Sequence, residues 1–212
     1  MRLRTPPGRA GRLWLRDRLA SARSAAELLD HKRRELESEQ HRMQTILGRR
    51  ARDWHSATIE ARRWLGRVDA TNGARAMQMA AVLERERAKV RLTWRQVMGV
   101  RYPTDFDVEI PPAPAVASLN GGAALVFALD ASARAAKAAV AHAVARTALA
   151  RIQADVQRTV RRLRALQLRA IPAHEEALRA LEVQLDEQDR EDAVNARWAA
   201  DAAAATPPEK HH

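Results

Sequence analysis

In 212 residues the chain carries 37 Lys and Arg against 26 Asp and Glu, a net charge of +11, with 4% aromatic residues and no cysteine. The lack of thiols removes disulfides, thiolate metal sites and cysteine nucleophiles and fits a reducing cytoplasm. Few aromatics beside abundant Ala, Arg, Leu and Glu suit long helices better than a broad globular core, and the positive field favours a polyanion, an anionic membrane surface or an acidic protein socket.

The N-terminal stretch is rich in arginine but lacks the apolar run of a signal peptide. From residue 15 onward two interleaved heptad series are mostly apolar. One passes through Leu15, Leu29, Leu36, Met43 and Trp64, the other through Leu19, Leu47, Trp54 and Val68. A seven-residue period held over residues 15–68 predicts a left-handed coiled-coil helix about 80 Å long at ~1.5 Å per residue. Arg33, Gln40 and Arg50 interrupt the seam, and such polar residues cost stability while fixing register.

After this helix the period changes. Val90, Leu92, Trp94 and Val97 stand among Lys89, Arg91, Thr93 and Arg95, the alternation of a half-buried strand. Gly99 and Pro103 are expected to end it, residues 105–110 to form a second strand, and the prolines and glycines of 111–122 to form a loop. The stretch 124–129 reads either as strand or as helix entry, and a helical or turn-rich stretch is expected near 70–86.

A second long helix is expected from Asp130, read as its N-cap, with a seam of Leu149, Ile152, Val156, Thr159, Leu163 and Leu166. The stripe then moves by one residue to Leu178, Leu181 and Leu185. Pro172 lies at the change and lacks the amide that would bond to the carbonyl of Leu168, so a kink or local unwinding is expected there, the alternative being that Pro172 separates two helices. The Ala-rich run 131–150 is interrupted by Arg134, Lys137, His142, Arg146 and Arg151, so no stretch approaches the roughly 18 apolar residues of a membrane span.

Charge and size predict antiparallel pairing of the two helices. With Val68 near Ala131, the acidic stretch 175–192 falls beside the Arg-rich start of the first helix, and Trp54 and Trp64 lie against small alanines, large against small. The fold expected is mainly α: a long antiparallel two-helix coiled coil with a small β-hairpin-containing middle segment. Its parts are 1–69 (first helix), 70–129 (middle), 130–198 (second helix) and 199–212 (flexible tail).

No chemistry-bearing constellation emerges. The histidines are dispersed without HxxxH or HExxH spacing, adjacent Glu175 and Glu176 point about 100° apart on a helix, and no GxxxxGK[ST] or GxGxxG turn exists. No catalytic residue, metal or cofactor is expected. The arginine clusters at 49–50, 62–63 and 158–169 are compatible with phosphate binding, but intervening acids break a continuous basic groove, so nucleic acid is not expected as partner. A basic coiled-coil scaffold on anionic membrane or nucleic acid is the alternative reading.

Three ordered stretches carry a family resemblance. Leu28-Leu29-Asp30-His31-Lys32-Arg33-Arg34-Glu35-Leu36 is similar to an LLKxKRDxL pattern. Val97-Met98-Gly99-Val100-Arg101-Tyr102-Pro103 is similar to NVxGVxxP, with Gln96 in place of Asn. The stretches 159–166, Ile171-Pro172 and 185–191 are similar to TxRRVNALE, IP and LEExEREE, with Arg164 in place of Asn and Gln167 in place of Glu. The chain thus resembles the D subunit of V-type and A-type ATPases across nearly its whole length. That resemblance implies a non-catalytic central rotor shaft, peripheral to the membrane on the cytoplasmic side, whose partners are a hexamer of A-type and B-type nucleotide-binding subunits, a small F subunit and a socket on the membrane ring. Lys32, Arg33, Arg161 and Arg162 are then expected as electrostatic contacts to other subunits, with Gly99, Val100 and Pro103 shaping the middle segment.

Overall fold

The computed structural model describes residues 6–71, 75, 78, 87–111 and 122–205, the side chains of 202–205 excepted. It is mostly helical. Helix α1 spans Gly8–Ala70, strands β1 (Lys89–Val97) and β2 (Val100–Glu109) form an antiparallel pair, and α2 spans Gly122–Ala165. A π-helical turn, Leu166–Ala170, joins α2 to α3, Ile171–Ala205. Most of the stretch 70–86, the loop expected at 111–122 and the end of the tail lie outside the described residues.

The contacts divide the chain into two units, Met1–His31 with Thr159–His212, and Lys32–Arg158. In the first, the start of α1 runs antiparallel to α3. Leu15, Leu19, Ala26, Leu163 and Leu185 are buried, and a Cβ added at Gly11 would clash with the Pro6 carbonyl oxygen and stand 3.2 Å from Leu181 Cδ2 of α3. Three ion pairs cross between the helices at seven-residue intervals: Arg9 to Asp189 (3.3 Å), Arg16 to Glu182 (2.7 Å) and Arg23 to Glu175 (2.7 Å). The acidic stretch therefore opposes the Arg-rich start of α1, the arrangement expected from charge.

The π turn has a cause that the sequence carries. The Ile171 amide bonds to the Leu166 carbonyl, five residues back. This widening admits one extra residue just before Pro172, whose missing amide would otherwise leave a gap in the α-helical ladder. One extra residue is also the offset between the seam through Leu163 and the seam through Leu178, Leu181 and Leu185. The helix continues through Pro172, and the turn keeps its apolar stripe directed at α1.

In the second unit, the rest of α1 runs antiparallel to α2, and the β-hairpin packs on the pair. One core joins Leu36 and Met43 of α1, Val100 and Tyr102 of β2, and Ala148, Leu149 and Ile152 of α2, flanked by Leu47, Val97 and Val156. A second joins Val68 to Leu125 and Ala128, with Trp64 and Leu129 beside them. Met98 (φ 48°) and Gly99 (φ 81°) form the two-residue turn between the strands. Positive φ at both positions matches the hairpin twist, and only glycine adopts it freely.

Several expectations are corrected here. The second helix begins at Gly122, not Asp130; Asp130 is an interior residue paired with Arg134, and the ambiguous stretch 124–129 is helix. Its apolar residues Leu125 and Ala128, three apart, fall on one helical face against Val68, and that burial outweighs the β preference of Val126 and Phe127. The helix also continues past 198 to Ala205. Val68 packs on Leu125 and Ala128, the latter one helical turn from Ala131, which agrees to within a few residues with the register expected. Trp54 stacks on His142, inside the expected Ala-rich segment 131–150, and Trp64 on Phe127, just before it, with centroids 5.0 and 4.6 Å apart. Trp54 keeps 40% of its surface exposed while it stacks across the helix pair. Pro103 does not end a strand: it lies inside β2 opposite Trp94, where the register shifts at a bulge that tolerates its lost amide.

Candidate subunit interface

Where the hairpin meets the helices, one polar cluster is built around the chain's single tyrosine. Tyr102 is wholly buried, and its hydroxyl donates to Glu39 Oε1 of α1. The same carboxylate accepts from Arg42, through Nε at 2.8 Å and through Nη2. The Arg42 guanidinium holds the Glu39 carboxyl below its usual range against the opposing effect of burial, with Tyr102 adding to the depression. Burial, then the carboxylate, pushes the Tyr102 phenol up, and Glu39 holds Arg42 above its ordinary range. The cluster pins β2 to α1 by a charged hydrogen bond between residues 63 apart in sequence.

A second anchor lies at Asp155 of α2, which stands 2.9 Å from Lys32 Nζ and 3.0 Å from Arg158 Nη2. The ammonium approaches Oδ2 at an angle that makes an ion pair rather than an aligned hydrogen bond. The Asp155 side chain is only 16% exposed, so this pair is less screened than the ladder along α3. Arg33 is half-buried and bonds Glu37 four residues on, at 2.8 and 3.0 Å. Lys32 is thus committed within the chain.

Arg161 and Arg162, in the first unit, are exposed and form no ion pair among the described residues. They fall within residues 156–174, which hold five arginines and no acid. Gly99 supplies the turn's left-handed backbone, Val100 is buried in the core, and Pro103 is fully buried at the bulge. Of the seam residues, Leu15, Leu19, Leu36, Met43, Leu163 and Leu185 are buried, while Leu29, Leu47, Trp64, Val156, Leu166 and Leu181 are half-buried. The sequence reading missed Glu39, Arg42 and Tyr102. The available signal was a lone tyrosine two residues from Val100, on the same side of a strand.

The described residues thus form two paired-helix units with a small β-hairpin on one of them, and among them no group of three or more potential metal ligands occurs. No described helix is long and apolar enough to cross a membrane. Residues 13–201 match the family described as the ATP synthase D subunit. The chain is 32% identical over 196 residues to a V-type ATP synthase D subunit of Anaeromyxobacter dehalogenans (strain 2CP-C), covering 89% of this chain and 92% of that protein. It is 31% identical to the protein of the same description from Anaeromyxobacter sp. (strain K), over the same shares. The chain belongs to the ATP synthase D-subunit family, and it is one component of a multi-subunit V-type or A-type ATPase.

Proposed function

We propose that the chain is the central-stalk rotor of this ATPase, a non-catalytic subunit that transmits torque between the nucleotide-hydrolysing hexamer and the ion-translocating membrane ring. The observation that carries this reading is the continuous apolar seam of α1 and α3, along which three ion pairs repeat every seven residues. Helices paired by an apolar seam resist twisting, the exposed ion pairs adding little, and a stiff asymmetric element touches the catalytic interfaces differently at each angle. Each angle then favours a different set of open and closed sites, so by linkage nucleotide turnover drives rotation and forced rotation drives synthesis.

In this reading the A-type and B-type subunits surround part of the helix pair, a small F subunit clasps it, and a socket on the membrane ring receives another part. The chain is peripheral to the membrane. Arg161 and Arg162, which form no ion pair among the described residues, are contacts to the ring; Lys32 and Arg33 act through their own ion pairs to set the surface beside them; Gly99, Val100 and Pro103 shape the hairpin. The test is single-molecule observation of a bead fixed to this chain in the complex reassembled with its own partner subunits. ATP-driven stepping of the bead is expected. Hydrolysis with the bead stationary overturns the proposal.

A further inference from the structure

The hairpin's two strands are unequally placed. Along β2, Val100, Tyr102 and Pro103 are buried, whereas every residue of β1 but Val97 is exposed. β1 is therefore the outlying strand, and among the described residues its other edge is paired with nothing. The turn closes on Val97 and Val100, so the odd residues of β1 bond to β2, and Thr93 offers its carbonyl to that side, where it accepts from Thr104 Oγ1. By alternation the N–H and C=O groups of Val90, Leu92, Trp94 and Gln96 point away from β2. An open edge of this kind is a template for an added strand.

Composition restricts what can be added. Strand β1 itself holds Lys89, Arg91 and Arg95 and no acid, whereas β2 carries Asp105, Asp107 and Glu109. Lys89, Arg91 and Arg95 line one face of β1, Arg91 already paired with Asp107 and Glu109 of β2, while Val90, Leu92 and Trp94, each 37–45% exposed, line the other, where the guanidinium groups of Arg101 and Arg151 stand over the Trp94 ring. A second copy of β1 would set cations beside cations, which is unfavourable for directly opposed pairs. A strand with acidic residues at alternate positions and apolar residues between them would continue both faces. We propose that β1 is a docking edge for an extended segment of a partner protein with alternating acidic and apolar residues, bound by strand addition. The inference goes beyond the rotor reading and stands whether or not the chain turns.

The test uses the full chain and a synthetic peptide of alternating valine and glutamate, with a valine and lysine peptide as control. Hydrogen exchange followed by NMR is expected to show the amides of Val90, Leu92, Trp94 and Gln96 slowed by the acidic peptide alone, and added salt is expected to weaken binding. Leu92→Pro removes an outward amide without removing a bond to β2, and it should weaken binding about tenfold or more. Leu92→Thr, which keeps the amide, should bind as the parent does. Equal slowing by both peptides, no slowing at these four amides, or full binding by Leu92→Pro with the Arg95 amide still protected would each overturn the proposal. Should Leu92→Pro lose Arg95 protection, the double variant Lys89→Glu and Arg95→Glu decides: it must now prefer the lysine peptide, and an unchanged preference refutes strand addition.

Discussion

Tyr102, Glu39 and Arg42 concentrate much of what holds the hairpin in place. Tyr102→Phe deletes one donor to a half-buried carboxylate that keeps Arg42, so a loss of about 1 kcal/mol is expected, measured by urea unfolding. Because Glu39 titrates below its ordinary value of 4.5 when folded, its carboxylate stabilises the fold above that pH. That contribution drains away as pH falls through the folded value. Tyr102 is shifted the other way, so its contribution is present below its ordinary value of 10.0 and is lost as pH rises through the folded value. Melting temperature against pH should therefore fall less steeply in acid for Glu39→Gln than for the parent; identical acid limbs would show that the cluster carries no such linkage. In the core beneath, Ile152 is fully buried against Leu36 and Tyr102. Ile152→Ala should cost about 2–5 kcal/mol in the same unfolding experiment.

Among the elements, the π turn invites a direct test. Deleting the exposed Leu168 together with Pro172→Ala converts the wide turn to ordinary α-helix while keeping Leu178, Leu181 and Leu185 in phase with α1. That variant should melt near the parent temperature by circular dichroism. Deleting Val183, equally exposed, rotates Leu185 about 100° out of the seam and should cost about 2 kcal/mol or more. The one-residue step in the apolar stripe made this feature legible in the sequence, as the unbroken heptads made α1 legible. The register of α1 against α2 was legible only to within a few residues, because stacking of Trp54 on His142 and Trp64 on Phe127 depends on ring geometry that a pattern of apolar letters does not encode. The start of α2 was missed for a related reason: Asp130 has the chemistry of a cap, whereas Gly122 offers no capping side chain, and only burial of Leu125 and Ala128 against Val68 decides the matter. Tyr102 and Glu39 lie too far apart in sequence for any local rule to join them.

For the whole molecule, membership of the D-subunit family sets the frame in which surface charge is interpreted. Reversing Arg161 and Arg162 to Glu removes no ion pair within the described residues, so the isolated chain should keep its melting temperature. Association with the reassembled ring should weaken about tenfold or more, with a reduced salt dependence, as expected for exposed charges that guide docking. Surface-binding measurements on immobilised ring would check this, and unchanged affinity would remove these two residues from the interface.

The seven-residue spacing of Arg9, Arg16 and Arg23 against Asp189, Glu182 and Glu175 has a further consequence. A pattern that repeats cannot tell one rung from the next. Slipping α3 by a single heptad would pair Arg9 with Glu182 and Arg16 with Glu175, sacrificing one contact of three. The ladder therefore rewards alignment without choosing it, and the choice falls to features that occur once, such as the wide turn at 166–170 that sets the phase of α3.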